Sequence, residues 1–169
     1  MFDLTGKTAF VTGASRGIGR SVAVSLAQAG ANVALIGRDQ AALAETTAAV
    51  QATGRKALPL TADVTSAQSV QTAVDKTVAE LGEIDILVCN AGVQKLKPFL
   101  DMKPEDWKTL ISTNLEGAIV TMQSVGRRMV ERKQGSIINM ASIYSFVGAP
   151  WNSIYCMTKG GLAQLSKAL

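Results

Sequence analysis

The chain has 169 residues, 47% of them apolar and only 5% aromatic, so Ala, Val, Leu and Ile suffice to bury one sizeable core, and residues 1–169 read as a single domain. A net charge of +4, with neither a basic tract nor interleaved aromatics, argues against nucleic-acid binding, and no apolar run is long enough to span a bilayer. The two cysteines, Cys89 and Cys156, and the absence of histidine give no disulfide framework and no metal-ligand spacing; no metal is expected, and a cytoplasmic setting is the default. The opening MFDLTGKTAFVTG has no basic region ahead of a long apolar segment, so no secretory signal is expected.

The first expected strand is KTAFVT (7–12), and VTGASRGIG (11–19) leads from it into a helix over about 17–29. Gly13 suits the sharp turn, Gly17 a backbone approach to a pyrophosphate, and Gly19 close packing of helix on sheet. Ala14, Ser15, Arg16 and Ile18 complete the turn, where free N–H groups and the positive end of the helix dipole favour phosphate. The spacing is G-x-x-x-G-x-G rather than G-x-G-x-x-G, and a purely structural turn can look alike; the strand–turn–helix context points to a nucleotide.

The second strand, NVALIG (32–37), ends in LIGRD without the acid that would hold the ribose 2′-hydroxyl of NAD. Arg38 and Arg16 instead suit a 2′-phosphate, so NADP(H) is favoured over NAD(H); Asp39 is expected to offset Arg38 in part, and both arginines also fit a solvated surface. A helix over 39–53 and the strand KALPL (56–60) follow, with Asp63 and Val64 in TADVT placed to meet the adenine end. After a helix over 66–81 and the strand IDILVCN (84–90), CNAG sets Asn90, Ala91 and Gly92 beside the same crevice, or makes only a turn. A long helix over 104–132 begins at Pro104 and ends in the basic GRRMVERK, where cations suit the macrodipole.

The strand GSIINMA (135–141) and a helix starting near 153 close the sequence. Gly30, Gly54, Gly82 and Gly135 precede strands and read as left-handed helix caps. The β-α alternation predicts an α/β fold with a doubly wound parallel sheet in three layers, most strands being buried on both faces.

The last helix carries SIYCMTKGG, with Tyr155 and Lys159 one turn apart. A free phenol ionises near about 10, too high for ready proton exchange at neutral pH. A neighbouring ammonium and the N-terminal end of a helix both favour the phenolate. Ser142, at the end of the fifth strand, is placed to hydrogen-bond a reacting oxygen. Each residue also has a plainer use: Asn114 as a buried amide bonded to backbone, Ser142 as a helix cap, Tyr155 and Lys159 as one face of a helix.

TGASRGIG, NAG at 90–92, Asn114 in STNLEG, Ser142 in MASIYS, and Tyr155 with Lys159 occur in an order that resembles the short-chain dehydrogenase/reductase family. The glycine spacing is similar to its compact single-domain branch, nearest to 3-oxoacyl-carrier-protein reductases and to sugar or polyol dehydrogenases such as gluconate 5-dehydrogenases. The resemblance implies a Rossmann-type fold, hydride exchange between a nicotinamide cofactor and a carbonyl or alcohol, and an Asn114–Ser142–Tyr155–Lys159 active site. It implies that Lys159 holds the nicotinamide ribose beside Tyr155 and that Asn114 anchors a water. It also implies homodimers or homotetramers through the helices at 104–132 and 153–169, where Gly160, Gly161 and Ala163 permit close approach. Cys89 departs from the family, which more often has a second Asn there. Family members run on past a point equivalent to Leu169 into further strands and a mobile lid, which leaves GSIINMA as an expected exposed edge. The residues leave one alternative open: a truncated or non-catalytic NADP(H)-binding protein acting through a partner.

Overall fold

The computed structural model describes residues 3–169. Five strands, β1 (Thr8–Thr12), β2 (Asn32–Gly37), β3 (Ala57–Thr61), β4 (Ile86–Cys89) and β5 (Ser136–Asn139), form one sheet in the order β3-β2-β1-β4-β5. All pairings are parallel; Val11 of β1, for example, lies between Leu35 of β2 and Val88 of β4. The helices are α1 (Gly17–Gln28), α2 (Gln40–Gln51), α3 (Ala67–Leu81), α4 (Pro104–Ile111), α5 (Gly117–Arg132) and α6 (Ser153–Ala168).

Period-two alternation sends β1 residues to opposite faces, and both faces are covered. Ala9, Val11, Val33 and Leu35 pack against Ala23 and Ala27 of α1 and Leu43 and Val50 of α2. Phe10, Ile36 and Leu87 pack on the other face against Val70 and Val74 of α3, Met122 and Val125 of α5, and Leu162 of α6. Cys89 belongs to that second cluster, where burial raises its thiol pKa to about 12. The departure from the family's pattern therefore faces the core, away from the crevice. This is the expected three-layer, doubly wound arrangement. The chain leaves β1 in one direction and returns at β4 in the other, which opens a crevice at the carboxyl ends of those two strands.

Burial on both faces holds for β1, β2 and β4 but fails at the edges. The outer strands β3 and β5 lack a full helical cover, and Ile137 and Ile138 are 37% and 45% exposed. Pro59, which donates no amide, sits in edge strand β3, where one missing ladder bond is tolerated.

The helix predicted over 104–132 is widened by a π-turn at Ser112–Glu116 between α4 and α5, marked by the Gly117 N–H reaching the Ser112 carbonyl. Such turns concentrate at functional sites, and this one carries Asn114. The cap expected at Gly135 is made two residues earlier: Lys133 takes the left-handed conformation, with φ of 54°. Gly135, itself at φ of 152°, also makes a close contact, since a Cβ there would meet Met129 at 2.4 Å. On α6, a Cβ at Gly161 would fall 3.6 Å from Leu115 and one at Gly160 would fall 3.7 Å from the Ser145 carbonyl, so both lie near their own chain.

The segment after β4 is tied to α4 by a buried carboxylate. Asp106 accepts from Lys95, from Lys97 at 2.9 Å and from the Lys103 N–H at 3.1 Å. The two ammonium groups, helped by that amide, hold its pKa well below the usual carboxylate range. A depressed carboxylate contributes stability above its unfolded pKa and loses that contribution as pH falls through the folded value. Asp106→Asn should therefore lower the melting temperature at neutral pH by several degrees and flatten its fall in acid. An unchanged acid limb in thermal denaturation between pH 2 and 6 would count against this account.

Candidate active site

The glycine turn is built by close contact. Gly13 and Gly17 have φ of 65° and 56°, a region costly for other residues. A Cβ on Gly13 would stand 2.9 Å from the Ala91 Cα, and one on Gly19 would stand 2.2 Å from the Gly13 carbonyl oxygen. Helix α1 thus sits directly on the turn, as the third glycine predicts. Asn90 locks the other side, its Nδ2 donating to the carbonyls of Thr12 at 3.0 Å and Gly13 at 3.2 Å. Thr12 Oγ1 accepts from the N–H groups of Asn90 at 2.9 Å and Ala91 at 3.0 Å. Asn90 is in this way a brace between the ends of β1 and β4 as well as a wall of the crevice.

A cavity of about 540 Å³ runs across the carboxyl ends of the strands. Gly13, Ser15, Arg16, Ile18, Gly19, Arg38, Asp63, Val64, Asn90, Ala91, Gly92, Tyr155 and Lys159 all line it. Two of the expected cofactor residues do not. Ala14 is fully buried, its N–H donating to the Ile36 carbonyl at 3.0 Å, and Gly17 lies exposed beside the rim. Ile36, Ala62, Val93, Gln94 and Met140 are wall residues without a prior sequence signal. They lie at strand ends or in the segment after β4, where residues of these kinds are too common to mark a site.

At the adenine end the charge pairing differs from expectation. Asp39 reaches Arg16 at 3.5 Å and caps α2 by accepting from the Ala42 N–H at 3.1 Å, while Arg38 reaches Asp63 at 3.8 Å. Both arginines are mostly exposed, so these are loose pairs. Asp63 accepts from the N–H and hydroxyl of Thr65 at 2.9 and 2.8 Å, which holds its carboxyl below the ordinary range, with Arg38 adding to the effect.

At the opposite end, Lys159 is 5% exposed and donates to the Met140 carbonyl at 2.5 Å. Burial lowers its pKa. Its Nζ lies 5.9 Å from the Tyr155 ring centroid, and Tyr144 meets the same ring edge-on at 6.2 Å. Tyr155 is the third residue of α6, inside its first turn. The start of that helix is fixed from outside. Asn152 directs its side chain to Gln94, whose Nε2 donates to it at 2.7 Å, and Trp151 is held at φ of 63° with its carbonyl accepting from the Lys97 N–H at 3.0 Å.

Asn114 and Ser142 make the bonds of a buried amide and a helix cap, close beside the site. The Val93 N–H donates to Asn114 Oδ1 at 2.7 Å, and Asn114 Nδ2 donates to the Val93 carbonyl at 2.8 Å and Thr158 Oγ1 at 3.4 Å. The amide is fully buried and clamps the segment after NAG to α6. Ser142 Oγ accepts from the Tyr144 N–H at 3.2 Å, capping a single turn at Ile143–Ser145. Its own hydroxyl proton is left to donate elsewhere. Neither lines the cavity, although their neighbours Thr113 and Ala141 do. Phe146 and Trp151, the bulky residues of the stretch IYSFVGAPWN, are 74% and 62% exposed and lie outside the cavity walls. Among the described residues, no helix is long and apolar enough to cross a membrane, and no group of three His, Cys, Asp or Glu is placed to hold a metal.

The strand order and the glycine-lined crevice define a Rossmann-type nucleotide-binding protein. The chain belongs to the short chain dehydrogenase family, whose model matches residues 7–169. It is 38% identical over its whole length to gluconate 5-dehydrogenase of Gluconobacter oxydans, covering 66% of that protein. Over 95% of its length it is 38% identical to a 3-oxoacyl-[acyl-carrier-protein] reductase of Staphylococcus epidermidis, again covering 66% of it. The structure of an NAD+-bound xylitol dehydrogenase superposes on 98% of the chain with a TM-score of 0.95 at 33% identity, with 64% of that protein covered. The chain thus spans about two thirds of the length of the relatives it matches.

Proposed function

We propose that this chain exchanges hydride between NADP(H) and a carbonyl or secondary alcohol on a small molecule, with Tyr155 as the acid–base group. The observation that carries the reading is one cavity with the glycine turn at one end and Tyr155 with a buried Lys159 at the other. A dinucleotide fits that shape: a Cβ on Gly13 or Gly19 would collide with backbone, so the turn stays bare where phosphates would approach. Ser15, Arg16 and Ile18 would hold the phosphates, Asp63 and Val64 the adenine, and Lys159 the nicotinamide ribose. The bound nicotinamide supplies or accepts the hydride.

In reduction, Tyr155 gives its phenolic proton to the substrate oxygen as the C–H bond forms; in oxidation it takes the alcohol proton. Lys159 places a positive charge beside the ring, which favours the phenolate left behind. Ser142, next to the cavity-lining Ala141 and with its hydroxyl proton free of the Tyr144 contact, donates that proton to the same substrate oxygen and offsets developing charge. Asn114 keeps the Val93 segment and α6 in register through its paired bonds, so its part is to position the site. Arg16 and Arg38 at the rim, with Gly37 where an acid would select NAD, support the 2′-phosphate.

The relatives leave two substrate classes in view, keto-sugar acids or polyols and 3-oxoacyl thioesters. The test is oxidation of NADPH and NADH against both classes. The expected result is turnover with one class and a preference for NADPH. No turnover with NADPH and none with NADH, across both classes, would sink the reading.

A further inference from the structure

Behind the glycine turn, on the side away from the cavity, lies a polar cluster that the proposed chemistry does not use. Thr46 of α2 is fully buried, and its Oγ1 lies 3.0 Å from the Ala14 carbonyl and 3.3 Å from the Ser15 carbonyl. Arg20 of α1 donates through Nε to Thr46 Oγ1 at 3.0 Å and through a terminal nitrogen to the Ser15 carbonyl at 2.9 Å. The same terminal nitrogen is steadied by Glu45 at 2.8 Å. The hydroxyl has one proton to give, and of the three carbonyls in reach, Ala14 at 3.0 Å and Ser15 and Ala42 at 3.3 Å, it goes to the nearest, Ala14.

The consequence lies in peptide geometry. In a trans peptide the carbonyl of one residue and the N–H of the next point in opposite directions. With the Ala14 and Ser15 carbonyls held toward α2, the N–H groups of Ser15 and Arg16 are turned the other way, toward the cavity both residues line. Neither N–H has a backbone acceptor among the described residues. We infer that Thr46 and Arg20 are positioning residues for the dinucleotide: from outside the crevice they fix the two peptide planes whose N–H groups face its phosphate-bearing half. This rests on the proposed cofactor reading. It adds two residues that belong to no glycine motif and lie 26 positions apart.

The test is fluorescence titration of the full 169-residue chain with NADPH and with NADH, beside the melting temperature of each variant. Thr46→Val keeps the shape and removes the hydroxyl, and should weaken the preferred cofactor about tenfold; Arg20→Met should do likewise, and Thr46→Ser should restore affinity to within about twofold. A hydroxyl that served only the core would lower the melting temperature and leave the Kd alone. An unchanged Kd in folded Thr46→Val, or no recovery in Thr46→Ser, overturns the inference. Should Thr46→Val fail to fold, Arg20→Met, whose side chain is part-exposed, decides in the same terms. A wild-type chain that binds neither cofactor overturns the functional reading and this inference together, whereas wild-type binding with unmoved variants overturns the inference alone.

Discussion

Replacing Tyr155 by Phe is expected to cut turnover by about 10²–10⁴-fold, the range that one positioned acid–base group supplies, and to leave cofactor affinity within about twofold. The substitution removes only the phenolic oxygen. The ring keeps its edge-on contact with Tyr144 at 6.2 Å, and the local helix keeps the bond from Thr158 Oγ1 to the Tyr155 carbonyl at 2.8 Å. No wall of the cavity moves, so binding and chemistry separate cleanly. Lys159→Met should behave differently: it takes away a buried cation bonded to the Met140 carbonyl, so both cofactor affinity and turnover fall. Steady-state kinetics with the best substrate, alongside NADPH titration, distinguish the two patterns. Turnover in Tyr155→Phe within tenfold of the wild type would mean that another group moves the proton.

The parts of this molecule that sequence reveals are those with few physical solutions. A left-handed turn followed by a helix start admits glycine and little else, so Gly13 and Gly17 mark the proposed phosphate end by conformation, and Gly19 marks it by its contact with the Gly13 carbonyl. Continuous apolar runs such as those of β1 and β2 need two covered faces, which is enough to predict the layers. What stays hidden depends on neighbours distant in the chain. Asn90 reads as a cavity residue, and its amide is also spent on the carbonyls of Thr12 and Gly13, 78 and 77 positions away. Asn114 sits in a π-turn, and its amide is paired with Val93 twenty-one positions away, a contact that no local pattern reveals. The pairing of Arg16 with Asp39 and of Arg38 with Asp63 depends on how the ends of β1, β2 and β3 lie together, which local pattern does not encode. Thr46, with no motif around it, shows its role only once α2 lies against the turn.

The second large effect is expected at Gly19, where alanine should weaken NADPH binding about a hundredfold, or about 2.7 kcal/mol, while Gly17→Ala is milder. The added carbon at Gly19 would lie 2.2 Å from the Gly13 carbonyl oxygen and 2.5 Å from Asn90 Nδ2. Neither obstacle is the free end of a flexible side chain: one is backbone, and the other is held by the carbonyls of Thr12 and Gly13. Relief therefore requires α1 to lift from the turn, which displaces the N–H groups at its N-terminus and opens the Asn90 brace. Overpacking of this kind costs about 1–3 kcal/mol in stability, so the melting temperature should fall as well. At Gly17 a Cβ meets nothing within 4 Å, and the cost is only that of its left-handed φ, about 1 kcal/mol. Comparing the two variants by calorimetry and NADPH titration separates contact from conformation. If Gly19→Ala binds NADPH as the wild type does, the turn is soft, and the cradle it forms with Asn90 is not what holds the phosphates.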